Sequence, residues 1–348
     1  MTEFKPANLC RRYLTALLIA VGGISVQSVT GAEEGVGEYE QFPAFQSPLA
    51  SKALLVHSTQ VGDKVVAVGA YGNVVFSSDG ENWQQGKVPT RRLLTTVEFI
   101  DEQEGWVAGH DTLILHTTDG GANWEIQYSD PWTGGDIPKP ILDLVFTDAK
   151  HGYAVGAFSL LLETRDGGVS WTAVDTSVLY DMLVDSGLEP EPNLYAIKPF
   201  RQGFLIVGEL GTLLYFNPAG DTVEETWEIL ESPYEGTFFS AEIYANDELF
   251  IFGLRGHMFH SRDGGESWSE INTGTIANIN AITQLPDGSF IAVGDAGTIL
   301  RIRRQNGGFV AEGIPYDGFD HILSVHYRGN KELLIFGARG AQIFPFDP

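Results

Sequence analysis

The chain is nearly without cysteine: Cys10 is the only one in 348 residues. Disulfides, thiolate nucleophiles and cysteine-held metals are therefore excluded for everything after position 10. Positive charge is scarce too, with 21 Lys plus Arg against 46 Asp plus Glu and a formal charge of −25. So acidic a surface repels nucleic acid and anionic membrane, and suits either plain solubility or a basic partner. The apolar stretch "YLTALLIAVGGISV" at 13–26 contains two glycines and is short for a membrane span. The eight histidines, His110, His116, His257 and His260 among them, show no zinc-protease spacing, so no metal is expected. "GELGT" and "GDAGT" join strand to strand with no helix N-terminus to receive an anion, so no nucleotide cofactor is expected either.

What stands at the front is an export signal. Lys5, Arg11 and Arg12 form a basic head before the apolar stretch, and "SVTGAEE" (28–34) offers small residues for cleavage near Ala32. Residues 1–32 are read as a signal peptide, with an uncleaved anchor as the alternative, and the mature protein as periplasmic or lumenal. Cys10 precedes the apolar stretch and is not placed as a lipoprotein cysteine.

What fills the rest is repetition. Short apolar runs close on Gly69, Gly109, Gly156, Gly208, Gly253, Gly294 and Gly337, at spacings of 40 to 52 residues. Self-similarity at that period means stacked units that cannot bury their faces alone. Within a unit the signals are four short strands, as in "LLTTVEFI" (93–100), "GWVAG" (105–109), "LILHTT" (113–118) and "NWEIQY" (123–128). No repeat shows helical periodicity beyond about two turns. Seven such units predict an all-β, seven-bladed propeller of four-stranded antiparallel blades, in one domain over 33–348. The blades start near 53, 93, 141, 194, 238, 278 and 321. The last unit lacks a fourth strand, and "GEYEQFPAF" (37–45) resembles an outer strand with Tyr39 in the place of Trp83. The segment 36–46 is therefore expected to pair with the seventh blade and close the ring.

A turn of one design joins third to fourth strands: "SSDGENW" (77–83), "TTDGGANW" (117–124), "TRDGGVSW" (164–171) and "SRDGGESW" (261–268). The carboxylates of Asp79, Asp119, Asp166 and Asp263 can accept hydrogen bonds from their own turns. Trp83, Trp124, Trp171 and Trp268 then enter the fourth strand as large apolar staples. Each turn carries one carboxylate and belongs to a different blade, so the pattern is structural rather than catalytic.

These turns resemble the Asp-box, or BNR repeat. The whole unit, "VGAFSLLLETRDGGVSW" (155–171) and its relatives, resembles the photosystem II stability/assembly factor-like family over residues 36–348. The resemblance implies a non-enzymatic propeller that binds an assembling membrane protein complex. The alternative is a glycan-binding or sialidase-like hydrolase. Arg91, Arg92, Arg255, Arg301 and Arg339 do not exclude it by number. However, no early Arg-Ile-Pro signature is present, and no spacing singles out a carboxyl pair.

Propeller geometry says where a partner binds. Loops joining second to third strands, and blade to blade, emerge opposite the Asp-containing turns. The first set supplies Tyr71, His110, Asp111, Phe158, Glu209, Arg255, Asp295 and Arg339. The second set includes two long excursions, 129–140 with Trp132 and 175–193 with Tyr180. Their aromatics suit a protein contact or fold back to cap the blades. Arg91 and Arg92 face a carboxylate partner or pair with nearby acids. The expected partner is a protein, the expected state a monomer.

Overall fold

The computed structural model describes residues 42–130, 138–218, 225–244 and 248–346, all within one compact unit, Gly37–Pro348. The expectations placed on the signal peptide, Tyr39 and Trp132 lie outside the described residues. The fold is the expected one: seven antiparallel sheets, six of four strands and the last of three. Each sheet is a plain meander. In blade I the strands are Leu55–Val61, Lys64–Gly69, Val74–Ser77 and Gln84–Gln85. The innermost strands of the remaining blades are Leu94–Phe99, Ile141–Phe146, Leu194–Phe200, Phe238–Tyr244, Ile279–Gln284 and Ile322–Gly329. Each packs beside the next around the axis, and the seventh packs back on the first.

The recurring glycine has a steric cause. Each closes the second strand where it passes under the entry to the innermost strand. A Cβ on Gly69 would stand 2.1 Å from the Leu54 carbonyl oxygen, and one on Gly294 1.9 Å from that of Asn278. The innermost strand is bulged at that point, between Leu55 and His57 in blade I and between Ile279 and Ala281 in blade VI. A bulge turns the strand and brings the two backbones together, so only glycine fits.

The core is divided into seven apolar clusters, one per blade boundary. Val66, Val68, Leu94, Val97 and Trp124 join blades I and II. Leu55, Val75, Leu334 and Phe336 join blades VII and I. Each blade thus buries its two faces against neighbours, which is why no blade is stable alone. The tryptophans after the Asp-containing turns lie in these boundaries: Trp83 meets Phe336 of blade VII edge-on with ring centres 5.9 Å apart.

Most of the expected ribbon pairing, residues 36–41 with Tyr39, lies outside the described residues. The described end of that ribbon lies on blade I: Ala44 N donates to Val88 O at 2.9 Å and Ser47 N to the Gln85 side chain at 2.8 Å. The ring is closed by the VII–I apolar cluster and by Ser58, which hydrogen-bonds Ser324 at 2.7 Å and His326 at 2.9 Å. Among the described residues this boundary is sealed by packing alone. A second difference is the 175–193 excursion, which contains a helix, Ser177–Asp185. Leu179 and Leu183 are buried in the III–IV cluster, while Tyr180 stands out on the other side. The excursion was too short for its 3.6-residue period to be read against the surrounding strands.

Candidate functional site: the face of the second-to-third-strand turns

In an antiparallel meander, loops alternate between the two ends of the sheet. The turns between second and third strands therefore share one face of the ring with the blade-to-blade links, as their contacts show. Gly72 lies against the Thr90 carbonyl, Gly256 against that of Thr275 and Gly297 against that of Gly318.

Six of these turns put a residue other than glycine in the left-handed region at the same place: Tyr71 (φ 62), Asp111 (φ 59), Phe158 (φ 53), Leu210 (φ 51), Arg255 (φ 58) and Ala296 (φ 53). A Cβ in that conformation costs about 1–2 kcal/mol per residue relative to the ordinary regions. The conformation swings the side chain outward. Tyr71 is 68% exposed, Phe158 58% and Leu210 54%. Ile276 and Phe319, on the V–VI and VI–VII links, add two more exposed apolar side chains to this face. The contrast with the preceding place in the turn is instructive. Glu209 turns back, its Oε2 accepting Asn193 N at 3.1 Å. Asp295 does the same, accepting from Asn278 and Asn280 and pairing with His321 at 2.8 Å. The outward residues of those two turns, Leu210 and Ala296, stand one position further on than sequence spacing suggests.

The arginines are mostly engaged. Arg91 donates to Pro43 O at 2.9 Å and lies 3.6 Å over the Phe45 ring, so it anchors the ribbon. Arg92 pairs with Asp111 at 3.0 Å and Arg339 with Asp320 at 2.6 Å. Arg301 is buried in the sixth blade against Asp287 and Ser289. These four are tied to separate partners rather than gathered into one anion clamp. Arg255 makes no side-chain bond among the described residues and is a free cation of this face. His110 is exposed, held through its backbone N–H to Leu93 O at 3.0 Å. Lys139 lies 5.8 Å from the Phe158 ring centre.

At the centre of the face a cavity of about 330 Å³ opens into the axis. Val56, Leu142, Tyr195, Phe239 and Leu323 form its collar, with His57, Asp143 and Lys198 beneath. Lys198 Nζ lies 3.2 Å from Asp143 Oδ2. Asp143 also accepts from Thr96 Oγ1 (3.0 Å), Leu144 N (3.0 Å) and Ile197 N (3.1 Å). Two further carboxylates, Glu98 and Glu242, interact with the same ammonium through space. Burial pulls Lys198 down, yet the three acids together hold it above the ordinary lysine value. Burial pushes Glu98 up to about 7 against the opposing pull of Lys198, and raises Glu242 as well. Burial lowers His57 and His326 to about 4, so both are neutral near pH 7. Sequence spacing did not find this cluster. Its signal was a charged residue in each of four otherwise apolar innermost strands, "TTVEFI", "LDLVF", "YAIKPF" and "SAEIY".

On the opposite face the Asp-containing turns are self-satisfied. Asp263 Oδ1 accepts Ser267 N at 2.9 Å and Ser261 Oγ at 2.7 Å, and Ser261 Oγ accepts Gly265 N at 2.8 Å. Those bonds hold its carboxyl below the usual aspartate value. Asp166 and Asp119 repeat the pattern with Ser170 and Asn123, and Asp79 with Asn82. No group of three His, Cys, Asp or Glu suited to a metal exists among the described residues.

Comparison with known proteins agrees with this architecture. The family model "Photosynthesis system II assembly factor YCF48" matches residues 75–132 and 126–305, together well over half the chain. The photosystem II stability/assembly factor HCF136, chloroplastic, of Cyanidioschyzon merolae is 33% identical over 82 residues, 22% of this chain and 19% of that relative's length. Two solved structures share the fold at low identity. YCF48 from Cyanidioschyzon merolae has TM-score 0.64 and 16% identity, covering 85% of this chain and 96% of that one. YCF48 bound to D1 peptide has TM-score 0.63 and 17% identity, covering 87% and 96%.

Proposed function

Since this chain belongs to the photosynthesis system II assembly factor YCF48 family, we propose that it is an exported, non-catalytic, monomeric propeller. Its task is to hold a segment of a membrane-complex subunit while that complex is assembled or stabilised. The observation that carries the reading is the set of strained turns. Backbone strain is retained at one place in six blades, and in four of them it presents an exposed Tyr71, Phe158, Leu210 or Arg255 to solvent. Glycine would relieve the strain, so the side chains themselves are the reason for it. Exposed aromatics around a central apolar-collared cavity suit a peptide contact. Tyr180, exposed on the helix of the III–IV link, is a further candidate contact.

A solved relative is YCF48 bound to D1 peptide, and by that likeness a peptide of this type is the first ligand to try. No described helix is long and apolar enough to cross a membrane, which fits docking to a membrane partner from one side. The Asp-boxes at Asp79, Asp119, Asp166 and Asp263 act as staples on the opposite face and take no part in binding. The test is calorimetric titration of the purified chain with D1 peptide. The unaltered chain binds, and the double variant Tyr71→Gly, Phe158→Gly binds at least about tenfold more weakly. Equal binding by both would place the contact elsewhere.

A further inference from the structure

The seventh blade has an open side. Its third strand, Gly340–Pro345, pairs with Glu332–Gly337, and among the described residues no strand lies beyond it. In five other blades the first core carbonyl of the third strand accepts an amide from the outer-strand segment. These bonds are Gly86 N to Val74 O (2.9 Å), Val174 N to Leu161 O (3.0 Å), Leu230 N to Leu213 O (2.9 Å), Ile271 N to Met258 O (2.8 Å) and Ile314 N to Ile299 O (2.8 Å). By register the equivalent residue of blade VII is Ala341, opposite Phe336 as Val74 is opposite Val68. Its carbonyl is met by the Lys52 ammonium at 3.4 Å. Two residues on, Ile343 presents its own N–H and C=O along the same edge, as alternation in an antiparallel ladder requires. Gln342, Ile343 and Phe344 are partly open, whereas the third strand of blade V is buried throughout.

Beside this edge lies a groove of about 380 Å³ between blades VI and VII, lined by Arg301, Arg303, Ile314, Pro315, Phe344 and Phe346. At other boundaries the outer-strand aromatic packs into the seam, as Trp171 does against Phe146 at 5.8 Å between ring centres. Arg301 is only 4% exposed, with its Nε and Nη2 on Ser289 and Asp287, yet its buried Nη1 has no partner. An unsatisfied buried donor of that kind calls for an acceptor.

We propose that this edge and groove form a strand-addition site for an extended segment of a partner protein, one bearing a large apolar side chain beside a carboxylate. The segment pairs antiparallel along Gln342–Phe344, beyond the Ala50–Lys52 turn that covers Gly340 and Ala341. Its apolar side chain fills the groove over Phe344, and its acceptor meets Arg301 Nη1, beside the Arg303–Glu312 pair. Pro345 lacks an N–H and ends the pairing. Affinity comes from the backbone and specificity from the groove, as in other strand-addition complexes. The described end of the chain's own ribbon, 42–47, is tied to 85–91 of blade I. A second copy brings a charge of −25 against −25, which opposes self-pairing. The site lies on the rim, apart from the face of the strained turns, so its failure leaves the proposed function standing.

The test uses the full chain and a labelled peptide copying residues 263–272, the fifth-blade outer strand with Trp268 and Glu270. Fluorescence anisotropy is expected to show saturable binding. Binding weakens at least about tenfold when the peptide amides facing the edge are N-methylated, or when its tryptophan is replaced by alanine. Hydrogen exchange at Ile343 N–H is expected to be fast in the free chain and slowed about tenfold or more by saturating peptide. Four results would overturn the proposal: no binding with an unprotected Ile343, binding indifferent to N-methylation, an Ile343 amide protected at every concentration, or protection rising with protein concentration. The third assigns the edge to the chain's own amino-terminal ribbon, the fourth to a second copy.

Discussion

Replacing Glu98 by glutamine should stabilise the propeller near pH 8, and by much less, under about 1 kcal/mol, near pH 5. Glu98 lines the axis beside Lys198, Asp143 and Glu242, and burial raises its carboxyl from 4.5 to about 7. The folded chain therefore holds a proton that the unfolded chain releases. Stability contributed by this group is full below about pH 4.5 and lost as pH rises through about 7. The interval corresponds to about 3 kcal/mol at the upper end, and nearer 2 kcal/mol where water enters the channel. Glutamine keeps the shape and removes the charge, while Lys198 retains Asp143 at 3.2 Å. His57 and His326 work the other way: their folded values fall to about 4, so their contribution is lost as pH drops from about 6.5. The pH profile of the unaltered chain is thus peaked, and only its difference from Glu98→Gln isolates the carboxyl. Urea unfolding followed by tryptophan fluorescence near pH 5 and pH 8 measures that difference. A variant equally or less stable near pH 8 would refute the reasoning.

Further consequences are open to simple assays. Lys198→Met strands the acidic group and should cost about 3–5 kcal/mol near pH 8 by urea unfolding, with partial recovery near pH 5 as Glu98 takes up its proton. Gly253→Ala places a Cβ about 2.3 Å from Thr237 O and should lower Tm by several degrees or prevent folding, a strain of about 1–3 kcal/mol or more. Phe158→Gly relieves a left-handed backbone at φ 53, so Tm should hold or rise by a few degrees while peptide affinity falls. Asp263→Ala should lower Tm without changing peptide affinity, because its carboxylate serves only its own turn.

Much of the architecture could be read from the chain because its cause is local. A glycine under the bulge at the start of each innermost strand, and in four blades an aspartate that satisfies its own turn, leave marks at fixed places in the repeat. What escaped were the facts created by the ring. Glu98, Asp143, Lys198 and Glu242 lie in four blades, and only closure about an axis brings them together. The described end of the ribbon also differed, since Ala44 and Ser47 bond blade I and not blade VII. Glu209 and Asp295 were named where Leu210 and Ala296 face outward, because a single left-handed residue decides which side chain leaves the turn. Ile276 and Phe319 carry no motif, and only their exposure marks them.

The claim that one face of the ring does the binding is tested most directly by two photoreactive side chains in otherwise unaltered protein. One replaces Phe158, on the face of the strained turns. The other replaces Val169, equally apolar and 77% exposed, in an Asp-containing turn on the opposite face. With D1 peptide bound and the samples irradiated, cross-linking from position 158 and none from 169 is the predicted result. Cross-linking from 169 and none from 158 would contradict it.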